Sequence, residues 1–297
     1  MKLESIVRSE TPLRKKKVLS KSFLAVKIIM FIIFLIYAVS LIYPIIFAFL
    51  SSLKDPLEYG SNPSSLPQYW LFSNYVDAFT ELSSNGFGVV TMFWNSLWYT
   101  VGGTLLGVFV SSMTAYVVAK YDFPGKKIAY GISVFIMMIP IVGAMPSQYR
   151  MYTALGIIDT PFLVLSFAAG FGFNFVVMFS FFQSLSWEYA EAAFIDGASD
   201  FRVFLQIMLP QSLSMIVALC VVAGVGFWND YMGPLLFLKS YPTLAAGLYL
   251  YQLDAVMYQT MPVYFAALLM STIPVVVFYI AFQNTLMDMT IGGGLKG

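Results

Sequence analysis

The residues best equipped to act on a partner gather between Glu188 and Pro210, where acidic groups alternate with alanines in a chain otherwise built of long apolar runs. Covalent chemistry is poorly served elsewhere. Histidine is absent and Cys220 is the only cysteine, so this chain alone cannot assemble a metal cluster, a Cys–His pair or a disulfide framework. Gly125-Lys126-Lys127 is the nearest approach to the G-x-x-x-x-G-K-[ST] phosphate loop. It lacks the first glycine and the final hydroxyl that hold nucleotide and Mg²⁺. No nucleophile stands in a pattern with a base. The reading is a chain without catalytic, cofactor-binding or metal-binding residues, and the chemistry left to it is recognition.

The stretch 188–210 has the marks of a bent two-helix element. Ser186 suits an N-cap, and Glu188 in the first turn favours the positive end of the helix dipole. Tyr189, Ala192 and Ala193 then share a face by i, i+3, i+4 spacing, leaving a small, approachable surface. Gly197 can take the positive φ that ends a helix. Ser199 can cap a second helix with Phe201, Phe204, Leu205 and Met208 on one side. The alternative is an ordinary amphipathic connector, for which 23 residues is long.

These residues must be positioned by membrane helices. The chain is 59% hydrophobic and 10% charged, far from a soluble domain. Charge-free runs fall at 28–53, 82–119, 128–149, 160–187, 203–229 and 255–287, each long enough to cross a bilayer as a helix. The expected fold is an all-α membrane protein with six transmembrane helices, at 25–51, 93–119, 128–146, 162–184, 213–238 and 263–286. Between them lie a basic tail 1–24, outer loops 52–92, 147–161 and 239–262, a cytoplasmic turn 120–127, the loop 185–212 and a C-terminal tail 287–297. With both ends cytoplasmic, basic residues divide 13 inside to 3 outside, as the positive-inside rule requires. The first apolar run is too long for a cleaved signal and reads as a retained anchor. The run 59–76 holds Pro63 and Pro67 among polar residues and reads as loop; Tyr69, Trp70, Phe72, Tyr75 and Phe79 suit the membrane interface. Gly103, Gly107 and Ser111 form a small-residue row that serves helix packing within the chain or a subunit interface.

Asp230 falls late in the fifth span beside Trp228, Asn229 and Tyr231. A carboxylate at that depth suggests a solute pathway, and an aromatic face with amide and carboxylate neighbours could bind sugar. The alternative is pairing at a helix contact or with interfacial water. Asn95 and Asn174 carry the same ambiguity.

Glu191, Ala192, Ala193 and Gly197, followed after nine residues by Ile207, Leu209 and Pro210, resemble the EAA signature of ABC-importer permeases. Ser186 stands where proline is common and Ala190 where an acidic residue is common. Trp228-Asn229-Asp230, Pro234-Leu235, Thr243-Leu244, Gly247-Leu248 and the ending Gly293-Gly294-Leu295-Lys296-Gly297 are similar to the second permease of maltose-type carbohydrate importers, with Ala245 in place of a frequent proline. The resemblance implies an ABC type I importer permease fold and import of a sugar by alternating access. It makes 185–212 the coupling loop, with Glu191, Ala192, Ala193, Asp196 and Gly197 meeting an ATP-binding subunit, and turns Gly294, Leu295, Lys296 and Gly297 toward the same subunits. It further implies a homologous second permease, two ATP-binding subunits holding ATP and Mg²⁺, an external solute-binding protein, and a place in the bacterial plasma membrane. Loop 239–262 would reach toward the binding protein. Rival readings are a permease for a peptide or polyamine, or an ion-coupled secondary transporter, which calls for discontinuous helices in matched halves.

Overall fold

The computed structural model describes residues 21–139 and 143–292. Pro140, the basic residues before Lys21, and Gly294, Leu295, Lys296 and Gly297 lie outside them. The chain divides into two units, residues 1–47 and 48–297. The described part of the first belongs to α1 (Lys21–Ser52), an apolar helix without a core of its own.

The second unit opens on a polar knot. Lys54 is fully buried, and its Nζ donates to the carbonyls of Asn62 (2.9 Å) and Pro63 (2.7 Å) and to the Ser65 hydroxyl (3.2 Å). Three acceptors for three N–H groups satisfy an ammonium that burial would otherwise penalise. Asn74 donates to the carbonyls of Ser52 and Lys54, tying the knot to α3 (Ser73–Glu81); α2 (Pro56–Ser61) starts where Asp55 accepts from the Leu57 N–H. A two-residue hairpin, β1 (Ser83–Ser84) with β2 (Phe87–Gly88), leads into α4 (Val89–Lys120).

Helix α4 is about 48 Å long at 1.5 Å per residue and runs through the middle of the packing. Its small residues face inward within the chain. A Cβ on Gly103 would stand 2.9 Å from the Phe227 ring, Gly107 lies against the Phe167 carbonyl, and the Ser111 hydroxyl bonds the Ala169 carbonyl at 3.0 Å. Of the two uses open to the Gly103–Gly107–Ser111 row, this is intrachain packing.

Beyond the Pro124-Gly125 turn follow α5 (Lys126–Met138), α6 (Met145–Ala154), a 3-10 helix (Pro161–Phe167) and α7 (Phe173–Ser184). Next come α8 (Glu188–Ile195), α9 (Asp200–Val203), a π-helical turn (Phe204–Met208) and α10 (Leu209–Gln211). The chain closes with α11 (Leu213–Asn229), α12 (Met232–Phe237), α13 (Leu244–Tyr258) and α14 (Met261–Gly292).

By length and composition α1, α4 and α14 can each cross a membrane, and 200–211 with 213–229, bent by 78°, makes a fourth candidate among the described residues. The stretches read from sequence as single spans at 128–146, 162–184 and 213–238 are interrupted. Ile139 is extended at φ −81°, ψ 123°, the conformation a following proline imposes. Gly172 takes φ +119° between the 3-10 helix and α7. Asp230 is extended, and its carboxylate accepts the Gly233 N–H at 3.0 Å, capping α12 where α11 ends.

Three buried clusters hold this unit together. One gathers Tyr116, Phe175, Phe182, Ala190, Val203, Phe204 and Leu219, at the end of α4 that meets α8 and α9. A second joins α3, the start of α4, α13 and α14. A third centres on Tyr99 with Tyr152, Leu163 and Phe237.

Candidate functional site

The bend in the 188–210 element comes from a complete helix stop. Gly197 sits at φ +80°, its N–H bonds the Phe194 carbonyl at 3.0 Å, and the Ala198 N–H bonds the Ala193 carbonyl at 3.0 Å. These are the paired 5→2 and 6→1 bonds of a Schellman motif, which needs a left-handed residue at that position. At the other end Trp187 occupies the N-cap backbone position, while the Ser186 hydroxyl accepts the Glu188 N–H at 3.3 Å. Ser199 is the N-cap of α9 in backbone conformation, without a side-chain cap bond.

Burial then sorts the faces of α8. Ala190 is fully buried and Phe194 lies against the same cluster. Ala193, expected to share the outer face with Tyr189 and Ala192, is half-buried on that cluster. Facing out are Glu188, Tyr189, Glu191, Ala192, Ile195 and Asp196. Ile195 is 86% exposed, a large apolar side chain on the surface of a charged loop. Helical spacing does not single it out; the signal in the sequence is an isoleucine inside an acidic, alanine-rich island. Among the described residues the ion pair present is Lys126 with Asp122, and neither Glu191 nor Asp196 is neutralised by it. The face offered is apolar at its middle and acidic around it.

Two consecutive residues at the end of α4 grip the flanks of α8. The Lys120 Nζ donates to the Leu185 carbonyl at 2.6 Å and stands 5.9 Å from the Trp187 ring. The Tyr121 hydroxyl donates to the Asp200 carboxylate at 2.7 Å, and its ring meets those of Trp187 and Tyr116 edge-on. Burial first, then the Tyr116 hydroxyl and the Asp200 carboxylate, hold the Tyr121 phenol above its ordinary range, so it stays a donor. A contact across 79 residues leaves no trace in local periodicity.

Past Gly197 the chain runs through α9 into the π turn, where the Leu209 N–H reaches back to the Phe204 carbonyl. Pro210 supplies no N–H to continue an α ladder, and the wider turn accommodates the loss. Phe204 and Met208 are buried, Leu205 half-buried and Phe201 exposed. Ser212 is buried at the 78° corner and donates to the Leu209 carbonyl at 2.9 Å.

The residues around Asp230 divide in two. Asp230 accepts from the Tyr99 hydroxyl at 2.7 Å and from the Gly233 N–H, and Tyr99 is fully buried; both carboxylate oxygens are engaged inside the chain. Trp228 donates to the Ser271 carbonyl at 3.3 Å and stands edge-on to Phe93. Asn229 and Tyr231 are exposed; Asn229 bonds the Val225 carbonyl and Tyr231 stacks on Tyr249 at 4.7 Å. Asn95 donates to the Pro242 carbonyl, a packing role.

The family described as "Binding-protein-dependent transport system inner membrane component" matches residues 103–286. The chain is 30% identical over 254 residues to the diacetylchitobiose uptake system permease protein of Streptomyces coelicolor, covering 84% of this chain and 82% of that one. It is 26% identical to the arabinooligosaccharides transport system permease protein of Bacillus subtilis (94% and 99% covered) and 25% identical to the trehalose transport system permease protein of Mycobacterium tuberculosis (86% and 92%). In fold it is similar to a chain of a bacterial ABC transporter involved in import of the acidic polysaccharide alginate, with a TM-score of 0.73, 23% identity, and 89% and 98% of the two chains covered.

Proposed function

Because this chain belongs to the family of binding-protein-dependent transport system inner membrane components, we propose that it is a carbohydrate permease whose loop 185–212 takes up the stroke of an ATP-binding subunit. It is a multi-pass membrane protein and the permease component of an importer. The named cargoes of its relatives, diacetylchitobiose, arabinooligosaccharides and trehalose, support a sugar or oligosaccharide as the solute. Its partners are then a homologous second permease, two ATP-binding subunits carrying ATP and Mg²⁺, and an external solute-binding protein; this chain performs no hydrolysis. Both termini face the cytoplasm of a bacterial cell. The chain crosses the plasma membrane six times, the third, fourth and fifth crossings being interrupted helices.

The observation that carries the coupling role is Ile195, 86% exposed on a short helix whose opposite face is sealed in a core. An apolar knob rimmed by Glu191 and Asp196 fits a groove with an apolar floor and basic walls. The Schellman stop at Gly197 fixes the angle at which the knob is presented, with Ala192 keeping the approach close and Ala193 seating the helix on the core beneath. Gly294, Leu295, Lys296 and Gly297 are assigned to the same subunits by the resemblance alone. On the solute side, Asn229 and Tyr231 are the exposed groups that would meet a sugar, with Trp228 and Asp230 holding them in place.

The test is thiol protection at the knob. In a Cys220→Ser background, Ile195→Cys is expected to react with a maleimide in the isolated permease and to be shielded once the ATP-binding subunits join. Equal reactivity in the permease and in the four-subunit complex would remove loop 185–212 from the interface.

A further inference from the structure

We propose that Tyr121 is a positioning residue whose bond to Asp200 makes α8 and α9 move as one body with α4. This rests on the coupling role just assigned to α8. The hydrophobic cluster under α8, formed by Ala190, Val203 and Phe204 with Tyr116 and Phe182, is non-directional; it holds the element down but does not set its direction. Direction comes from polar contacts at both flanks. Before α8, Lys120 bonds the Leu185 carbonyl at 2.6 Å and Tyr121 packs edge-on to Trp187 at 5.7 Å. After α8, Tyr121 bonds Asp200, the first residue of α9, at 2.7 Å. The eight-residue helix is thus hung between two anchors, both on the last turn of α4 and the residue after it.

A load on Ile195 therefore passes into α4 rather than only along the chain into α11, from which the 78° corner at Ser212 separates it. At its other end α4 holds the opposite side of the molecule by three bonds. Tyr99 donates to Asp230 at the break between α11 and α12, Ser96 accepts the Leu244 N–H at 2.8 Å at the start of α13, and Asn95 donates to the Pro242 carbonyl at 3.0 Å. One rod joins the docking face to the break between α11 and α12 beside Asn229 and Tyr231.

The experiment places spin labels at Ser199→Cys, on the exposed cap of α9, and at Leu105→Cys, on the exposed side of α4, in a Cys220→Ser permease assembled with its ATP-binding subunits in lipid. Pulsed electron–electron distances are measured without nucleotide and after trapping with ATP and vanadate. With Tyr121 in place the distance distribution is expected to be the same in both states. Tyr121→Phe and Asp200→Ala should each make the two states differ, the double change should add nothing, and Asp200→Asn, which still accepts the hydroxyl, should restore the single distance. Coupled ATP turnover should fall roughly ten- to hundredfold in the two disruptive variants, the scale of one hydrogen bond to a charged group. A distance that shifts between states with Tyr121 intact, or that stays fixed in both Tyr121→Phe and Asp200→Ala, overturns the proposal. Protection of Ile195→Cys in the same complexes separates this from failure of the coupling role itself, which would leave that thiol reactive.

Discussion

At the scale of single residues, Gly197 and Asp230 show two ways in which one side chain, or its absence, fixes a direction. A Cβ on Gly197 would meet nothing within 4 Å, yet its φ is +80°, so the position is demanding in conformation and not in space. An L side chain in left-handed geometry costs roughly 1–2 kcal/mol, more when β-branched, whereas asparagine visits that region readily. Gly197→Val is therefore expected to abolish the response of ATP hydrolysis to solute-charged binding protein in reconstituted complexes while the permease still inserts, and Gly197→Asn to keep it; equal activity of the two variants would mean that the Schellman stop is dispensable. Asp230, read from sequence as open between solute contact and packing, has both oxygens bonded to Tyr99 and Gly233. Tyr99→Phe should lower stability by about 1.5–3 kcal/mol, read as a lower thermal midpoint in detergent. Asp230→Asn keeps an acceptor and should leave solute selectivity unchanged. A changed selectivity in Asp230→Asn would return the carboxylate to the pathway.

At the scale of elements, the parts of the 188–210 element legible in sequence are those governed by local chemistry. The glycine stop and the backbone cap at Ser199 follow from rules that act within four or five residues, and the spacing displays them; the pair of alanines is split, because Ala193 turns to the core while Ala192 faces out. The Tyr121 to Asp200 bond joins residues 79 positions apart, and nothing local announces it. The interruptions of the helices lie between these cases: Pro140 and Gly172 are visible as breakers, but whether an apolar run absorbs a breaker or stops at it depends on partners such as Gly233 for Asp230, which only the fold supplies. Helix packing gives a direct test of the reading of α4. Because a Cβ at Gly103 would stand 2.9 Å from the Phe227 ring, Gly103→Ala should cost about 1–3 kcal/mol by overpacking. Phe227→Leu, which removes the ring edge, should recover part of that loss, so that the double variant is more stable than the sum of the two single changes implies. Strict additivity would place the clash elsewhere.

At the scale of the whole molecule, the proposed function requires that α8 and the residues around Asn229 open to opposite sides of the membrane, and the positive-inside rule supports one assignment of the two sides. Thirteen of sixteen basic residues fall on the side assigned to the cytoplasm, leaving Lys54, Arg150 and Lys239 on the other, an asymmetry that orients spans during insertion. Lys54 departs from the usual exposed role of an outer lysine: it is buried with its three N–H groups bonded to Asn62, Pro63 and Ser65. Its burial turns the outer segment into a fixed loop, on which Ser64 remains exposed. A cysteine at Ser64, in a Cys220→Ser background, should therefore react with a membrane-impermeant maleimide added to intact cells. A cysteine at Lys17, in the basic tail, should react only when the reagent is added to inverted vesicles. The reverse pattern would put the 188–210 element outside the cell, where no ATP-binding subunit could reach Glu191 or Ile195, and the coupling role would fall together with the orientation.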